Sequence, residues 1–222
     1  MVPVITIDGP SGSGKGTIAA RLAERLGWRC LDSGALYRLV GFSVERAGTL
    51  LEHEEEIARI ARSMQVEFDA RGVILDGEDV SDAIRTETAG NMAYKVAAIP
   101  AVRAALLTWQ RRYARSPGLV ADGRDMGTVV FPQADVKIFL TATAEERAQR
   151  RYKQLKEKGI DVNVPALVEE IRERDERDRN RSVAPLKPSD DALQVESTAL
   201  SIDGVLEVIL ERVHDAFPDI EV

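Results

Sequence analysis

A single lysine stands among four glycines near the start of the chain, in the stretch G-P-S-G-S-G-K-G-T at residues 9–17. Glycine adopts backbone conformations that other residues avoid, so this density indicates a chain that bends sharply or approaches a ligand closely. The spacing G-x-x-x-x-G-K is typical of a loop whose backbone N–H groups surround phosphate oxygens, with the lysine adding a full positive charge. The residues predicted to bind a nucleotide's phosphates are Gly9, Pro10, Ser11, Gly12, Ser13, Gly14, Lys15, Gly16 and Thr17.

The segments on either side of this loop have the patterns that a phosphate-binding loop requires. A short β-branched run precedes it at Val4, Ile5 and Ile7, and this run predicts a buried parallel strand. After the loop, apolar residues repeat at helical spacing up to Gly27, namely Ile18, Ala19, Leu22, Ala23 and Leu26. The loop therefore lies between a strand and a helix, where the amino end of the helix favours phosphate oxygens.

One position departs from the general loop pattern. Gly16 follows the lysine where a serine or threonine usually holds Mg²⁺, and Thr17 comes one place later. The ending G-K-G-T resembles that of the nucleoside monophosphate kinases, which implies phosphoryl transfer from ATP. Either Thr17 supplies a hydroxyl ligand, or Mg²⁺ is held mainly by ATP oxygens and water. We assign no residue as a metal ligand and expect Mg²⁺ to arrive with the nucleotide.

The rest of the chain alternates strand and helix patterns. This order predicts an α/β fold with a mostly parallel sheet flanked by helices. An exception is residues 66–80, where apolar and polar residues alternate between turn signals at 70–72 and 76–77, predicting a small antiparallel hairpin or meander. We interpret it as part of an insert at about residues 60–100. Further strands are predicted at residues 29–32, 118–121, 136–141 and 193–197, with a last helix at 201–213.

Composition excludes several classes of function. A net charge of −7 and a pI near 5.1 argue against binding a nucleic acid polymer over a broad surface. One cysteine, Cys30, indicates a reducing compartment, so we expect a cytoplasmic protein. No apolar run approaches the length of a membrane span, which takes about 18 residues. With 222 residues and no heptad pattern, we expect a monomeric chain with one core.

Two further segments leave the predicted strand ends, where parallel sheets collect their ligands. These segments are D-S-G-A-L-Y-R at residues 32–38 and A-D-G-R-D-M-G at 121–127. Each carries an arginine, and a guanidinium can donate two parallel hydrogen bonds to a phosphate. We therefore predict that Arg38 and Arg124 bind the phosphate of an acceptor. Asp122 and Asp125 are candidates for contacts with substrate or with the water around Mg²⁺.

Several separated motifs together resemble bacterial cytidylate kinase, over nearly the whole chain. They are D-S-G-A-x-Y-R at 32–38, V-S-x-x-I-R at 80–85, V-A-A-x-P-x-V-R at 96–103, A-D-G-R-D-M-G-T-V-V-F-P at 121–132 and R-D-x-R-D-R-N-R at 174–181. The resemblance implies transfer of the terminal phosphate of ATP to CMP or dCMP. It also implies an insert in the monophosphate-binding region, which the predicted meander fits.

Roles for individual residues follow from the resemblance. The residues implied for the acceptor are Ser33, Tyr37 and Arg38 at its phosphate and sugar, Arg124 at its phosphate, Arg103 and Asp125 at cytosine, and Asp178 and Arg181 at the sugar and base from a second side. Cytosine presents two acceptors and an exocyclic amine donor, so an arginine and a carboxylate suit it, whereas uracil lacks the amine. One position departs from the family pattern, since Tyr94 stands where a serine often helps to bind the base.

Two segments dense in both charges, residues 145–159 and 169–181, read on their own as solvated helices with pairs three and four residues apart. The resemblance implies instead that the first forms a lid and the second lies below it, together about residues 147–181. The candidates for closing on the triphosphate are Arg147, Arg150, Arg151 and Arg174, with Gly159 as a hinge or cap.

The predicted mechanism is direct in-line transfer, with Lys15, Arg38 and Arg124 as the catalytic residues. Outside the insert and the lid region, the predicted core of the kinase consists of residues 1–59, 101–146 and 182–222. The acceptor phosphate is already anionic near neutral pH, so no general base is needed. Two alternatives stay open at this point. One is a kinase for another nucleoside monophosphate, and the other is a nucleotide-dependent switch protein.

Overall fold

The computed structural model describes residues 2–69, 72–157 and 159–220. Its β-strands are β1 (Val4–Asp8), β2 (Arg29–Asp32), β3 (Val66–Asp69), β4 (Gly72–Leu75), β5 (Glu78–Asp79), β6 (Leu119–Gly123), β7 (Val136–Thr141) and β8 (Leu193–Glu196). Its α-helices are α1 (Lys15–Leu26), α2 (Ser33–Ala47), α3 (Glu54–Ser63), α4 (Glu87–Ala97), α5 (Pro100–Tyr113), α6 (Ala144–Glu157), α7 (Val164–Arg179) and α8 (Ile202–Ala216). No helix in these ranges is long and apolar enough to cross a membrane.

The chain groups into two compact units. Residues 1–30 and 116–222 form the first unit, and residues 31–115 form the second. The insert expected at about residues 60–100 falls inside the second unit. The segment expected to hold the lid and the helix below it, about residues 147–181, falls inside the first unit and includes most of α6 and all of α7.

A five-stranded sheet, in the order β2-β6-β1-β7-β8, includes the described strands of the first unit, β1, β6, β7 and β8. Strand β1 pairs in parallel with β6 and β7, and β7 pairs in parallel with β8. Every residue of β1 and β6 is buried, as expected for central strands of a parallel sheet, which is covered on both faces. The predicted α/β class with a parallel sheet is confirmed. Since β1 and β6 run side by side, the residues that follow them meet at one edge.

Helices α1 and α8 pack their apolar stripes against this sheet. The buried side chains of α1 are Ile18, Ala19, Leu22 and Ala23, as the helical spacing predicts, and Gly27 ends the helix with a φ of 64°. Helix α8 begins at Ser201, whose side chain accepts a hydrogen bond from the N–H of Gly204. Trp28 lies edge-on to Phe217, with ring centroids 5.5 Å apart. The buried residues of α1, beginning with Ile18 one turn after the loop, pack this helix into the core of the sheet.

The second unit contains the predicted meander. Strands β3, β4 and β5 form an antiparallel sheet in that order, as the alternation at residues 66–80 predicts. The turn expected at 70–72 involves residues 70 and 71, which lie outside the described residues. Phe68 lies edge-on to Trp109 and Tyr113, which stack on each other along α5 with centroids 5.1 Å apart. This aromatic cluster attaches the small sheet to α5.

Candidate active site

The glycine-rich loop bends where no side chain would fit. A Cβ atom at Gly9 would lie 2.1 Å from the carbonyl oxygen of Leu140 in β7, well inside van der Waals contact. Gly12 and Gly14 have φ values of 77° and 93°, in the left-handed region that favours glycine. The glycines are therefore required by the path of the backbone, which turns back from β1 to begin α1.

The amino end of α1 is left open for an anion. Gly14 occupies the capping position without a side-chain hydrogen bond, and the first turn contains no acidic residue. The buried hydroxyl of Ser13 has no hydrogen-bond partner within the described part of the chain. Backbone N–H groups at a helix start and an unpaired buried hydroxyl are the donors that phosphate oxygens accept. The loop therefore fits the phosphate tail of a nucleotide.

Lys15 is positioned between the loop and the end of β6. Its Nζ donates to the carbonyl oxygen of Pro10 at 3.3 Å and lies 3.8 Å from Oδ1 of Asp122. Both side chains are largely buried, at 11% and 8% exposed. A Cβ atom at Gly16 would lie 3.2 Å from Oδ2 of the same aspartate. The small residue at position 16 thus leaves room beside the Asp122 carboxylate, at the point where other loops of this kind carry a hydroxyl.

Asp8 holds the turn that follows β6. This turn is a short π-helix, Met126–Val130, and Asp8 accepts hydrogen bonds from the N–H groups of Met126 and Gly127, both at 2.8 Å. Asp8 is the last residue of β1, and its partner in β6 is Gly123. The carboxylate therefore connects the strand that leads into the loop with the segment that carries Arg124 and Asp125.

Burial raises the pKa of Asp8 from 3.8 to about 6, against the lowering effect of the two backbone hydrogen bonds. Between these values the folded chain keeps a proton that the unfolded chain has released, so the free energy of unfolding falls as pH rises through this window. We expect the contribution of Asp8 to decrease by roughly 2 kcal/mol between pH 4 and pH 7.

Urea unfolding of the wild type and of Asp8→Asn at several pH values measures this contribution. The difference in unfolding free energy, wild type minus variant, should fall as pH rises from 4 to 6 and then level off. Asparagine has no proton to lose in this range, so a difference independent of pH would contradict the assignment.

Asp178 of α7 pairs with two arginines. Its Oδ2 accepts a hydrogen bond from Nε of Arg124 at 2.9 Å, and its Oδ1 accepts one from Arg181. Burial alone would raise the pKa of this carboxyl, which is 1% exposed, but the charges of Arg124 and Arg181 outweigh it and hold the pKa below its ordinary value. The structure thus brings three predicted acceptor-binding residues together.

The two arginines at the start of α6 contact the loop through its carbonyl groups. Arg147 is 3% exposed and donates to the carbonyl oxygen of Ser11 at 3.1 Å, while Arg150 donates to that of Ser13 at 3.2 Å. Arg151 is exposed, and Arg174 contributes positive charge around Asp178. Gly159 follows α6 with a φ of 73°, and its N–H donates to the carbonyl oxygen of Lys156, as in a helix cap.

The second unit brings together Tyr37 and Arg103. Arg103 donates to the Tyr37 hydroxyl at 3.3 Å, and its guanidinium lies 5.9 Å from the centre of that ring.

Arg38 donates to the carbonyl oxygens of Ile84 and Thr86 at 2.8 and 3.1 Å. Ser33 is the buried first residue of α2, and Tyr94 lies half-buried on α4. Asp32 caps α2 by accepting from the N–H of Ala35 at 3.0 Å.

Two residues with clear positions in the first unit were missed by the sequence reasoning. Asp8 carried a usable signal, because an acidic residue at the carboxyl end of a buried parallel strand lies at the ligand-binding edge. Asp175 pairs with Arg147 through both carboxylate oxygens, at 2.9 and 2.5 Å. Asp175 is part of the R-D-x-R-D-R-N-R motif at 174–181, but nothing in that run of alternating charges indicates which of them turns inward.

A phosphate-binding loop between β1 and α1 of a parallel sheet, with the buried Arg147 and the half-buried Arg150 donating to its carbonyl groups, defines a P-loop kinase. The cytidylate kinase family pattern matches residues 5–215. The chain is 61% identical over 220 residues to a cytidylate kinase of Stutzerimonas stutzeri, covering 96% of each chain. It is 57% identical over 224 residues to one of Aeromonas hydrophila, covering 99% of this chain and 97% of that one. The chain therefore belongs to the cytidylate kinase family.

The fold also resembles a solved structure of distant sequence. An uncharacterized protein from Eubacterium ventriosum superposes with a TM-score of 0.53 at 9% identity, covering 95% of this chain and 98% of that one. Such a likeness bears on the fold alone. Family membership confirms the predicted activity, the ATP-dependent phosphorylation of CMP and dCMP.

Proposed function

We propose that the chain transfers the terminal phosphate of ATP to CMP or dCMP by direct in-line displacement, with the residue roles set out below. The observation that carries this proposal is the open amino end of α1, with Lys15 beside it and Arg124 on the turn that Asp8 attaches to β1. A donor loop and an acceptor arginine thus rise from adjacent strands of one sheet. This arrangement suits a two-substrate transferase better than a switch protein, which needs only the loop.

On the donor side, residues 9–17 bind the phosphates of ATP through backbone N–H groups. Lys15 neutralises charge that builds on the transferring group. Mg²⁺ enters with the nucleotide, and Asp122, 6% exposed beside Gly16, suits a contact with the water around the ion. Within the described residues there is no cluster of three or more acidic, histidine or cysteine side chains for a metal ion. ATP oxygens and water therefore supply most of its ligands in this proposal.

On the acceptor side, Arg124 and Arg38 bind the phosphate of CMP and present its oxygen as the nucleophile. Asp178 contacts Nε of Arg124, which leaves the two terminal nitrogens of the guanidinium for a bidentate contact with phosphate. Ser33 and Tyr37 complete the contacts with the phosphate and sugar, and Asp178 and Arg181 contact the sugar and base from a second side. Closure of α6 and α7, with Arg151 and Arg174, excludes water that would otherwise accept the phosphoryl group.

Cytosine is distinguished by Arg103 and Asp125. Arg103 donates to the ring acceptors, and the Tyr37 hydroxyl supports its orientation. Asp125 is buried, at 5% exposed, and its carboxylate accepts from the exocyclic amine of cytosine. The carbonyl oxygen of uracil and a carboxylate oxygen are both acceptors and repel each other, so uracil is disfavoured at this position.

The variant Asp125→Asn tests this role. An amide can donate to the carbonyl oxygen of uracil, so we expect the ratio of kcat/KM for CMP to that for UMP to fall about tenfold or more. Initial rates with CMP, dCMP, UMP, AMP and GMP measure it. Asp203→Asn, the same chemical change at an exposed position of α8, is the control and should leave the ratio unchanged.

The nucleotide panel also tests the two alternative functions. Rapid phosphorylation of AMP or GMP by the wild type would indicate a kinase for another monophosphate. Slow ATP hydrolysis that no monophosphate accelerates would indicate a switch protein. An unchanged preference in Asp125→Asn would remove that residue from base recognition and leave the rest of the proposal standing.

The proposal includes a monomeric chain working in the cytoplasm on small molecules. Its net charge of −7 opposes binding to a nucleic acid polymer, and the single cysteine suits a reducing compartment. The lid and the helix that follows it, at about residues 147–181, are the parts expected to close, and the insert at about 60–100 belongs to the monophosphate-binding region. Light scattering of the purified protein, with and without nucleotides, measures the oligomeric state.

A further inference from the structure

Helix α7 buries two carboxylates where an apolar stripe is expected. Within this fully described helix, Leu167, Asp175 and Asp178 are the buried residues. Aspartate is a poor helix former, and a buried charge is costly unless it is paired and hydrogen-bonded. Core packing therefore does not explain this face of α7. Its explanation lies in the arginines that the two carboxylates hold.

Asp175 acts on the phosphate loop through Arg147. The two side chains share a bidentate pair at 2.9 and 2.5 Å, and the same guanidinium donates to the carbonyl oxygen of Ser11 and to that of Ala142. A Cβ atom at Gly12 would lie 3.3 Å from Cβ of Arg147, so this arginine also lies against the backbone of the loop. Arg147 is therefore placed to fix the loop's shape, and Asp175 fixes Arg147.

Asp178 acts on the acceptor arginine directly. It lies three residues after Asp175, on the same side of the helix, about 4.5 Å further along the axis. Its carboxylate holds Nε of Arg124 at 2.9 Å. Because a helix moves as a rigid element, any displacement of α7 changes both ion pairs together.

We propose that Asp175 and Asp178, which we name the coupling face of α7, position the phosphate loop and Arg124 together, so that binding of one nucleotide strengthens binding of the other. The proposal rests on the assignment of residues 9–17 to ATP and of Arg124 to the acceptor phosphate. An acceptor phosphate at Arg124 fixes the Arg124–Asp178 pair, which fixes α7 and, through Asp175 and Arg147, the loop. Thermodynamic linkage requires the effect to be equal in both directions.

The test measures the dissociation constant of a non-hydrolysable ATP analogue with Mg²⁺, without and with saturating CMP, by calorimetry. The wild type should bind the analogue at least about fivefold more tightly when CMP is present. Asp175→Asn keeps the shape of the side chain but removes its charge and one acceptor, and it should reduce this ratio to within about twofold of unity. This ratio of dissociation constants separates coupling from general damage. Damage to the loop alone weakens binding of the analogue equally with and without CMP, and so leaves the ratio unchanged.

Glu176→Gln is the matched control, since it makes the same chemical change at the exposed neighbouring position of α7 and should keep the wild-type ratio. The proposal would be overturned if CMP does not tighten binding of the analogue to the wild type. It would also be overturned if CMP tightens binding to Asp175→Asn as much as to the wild type. If Asp175→Asn fails to fold, Arg147→Lys takes its place, because lysine keeps the charge but loses the bidentate contact.

Hydrogen exchange of the wild type supplies an independent test that needs no variant. CMP alone should slow exchange in the turn at Met126–Val130, in α7 and in the loop at residues 11–14. Protection of the turn without protection of the loop would overturn the coupling and leave the acceptor role of Arg124 intact. Protection of neither segment would overturn the acceptor role itself.

Discussion

Lys15→Ala should lower kcat for CMP phosphorylation by about 10²- to 10³-fold, the range expected for removing one donor from a preorganised anion site. The side chain lies at the open end of α1, where Nζ is held by the carbonyl oxygen of Pro10 at 3.3 Å. Negative charge on the transferring group increases towards the transition state, so the lysine contributes more there than in the bound ground state. The loss should therefore appear mainly in kcat and to a smaller degree in KM for ATP.

Initial rates over a grid of ATP and CMP concentrations measure both constants. Arg21→Ala is the matched control, because it removes one positive charge from an exposed face of the same helix, where the arginine pairs with Asp203. Exposed pairs contribute little, so the control should change kcat less than about twofold. A normal kcat in Lys15→Ala, or a loss confined to KM, would exclude the catalytic role.

Arg124→Ala should lower kcat/KM for CMP by about 10²-fold or more while changing KM for ATP only about threefold. The substitution removes the bidentate donor proposed for the acceptor phosphate. It also leaves Asp178, 1% exposed, with Arg181 as its remaining ion pair. We expect a loss of stability below the roughly 3–5 kcal/mol that follows the breaking of an isolated buried pair.

Urea unfolding of this variant must be measured beside its kinetics. The two measurements together distinguish a loss of stability from a loss of the contact with the acceptor phosphate. Arg124→Lys serves as the second variant, because it keeps a charge near Asp178 but cannot form the two parallel hydrogen bonds. It should recover stability more fully than it recovers kcat/KM for CMP. Equal losses for CMP and ATP in a folded Arg124→Ala protein would contradict the assignment.

The sheet, the loop and the meander could be predicted because each depends on short-range patterns. The local sequence is enough to predict the β-branched strand, the glycine-rich turn and the helix that ends at Gly27. The structure has each of them where the pattern predicts it. Alternation at residues 66–80 likewise predicts β3, β4 and β5. Such features need no knowledge of distant contacts.

The charged residues of α6 and α7 could not be sorted in this way. Arg147 and Arg151 have the same residue type in one charged helix, yet the first is 3% exposed against the loop and the second is exposed. Asp175 and Glu176 are adjacent, and only the first is buried. Which charged side chain is buried depends on the packing of α6 on α7. A run of alternating positive and negative residues does not indicate which of them that will be. The roles of Arg103 and Asp178 came from the resemblance and not from spacing.

The aromatic contacts give an experimental advantage. The chain has two tryptophans, Trp28 against Phe217 in the first unit and Trp109 against Tyr113 in the second. Each indole therefore serves as a separate fluorophore for its own half of the polypeptide. Single Trp→Phe substitutions would let the melting of either half be followed optically, without attaching a dye.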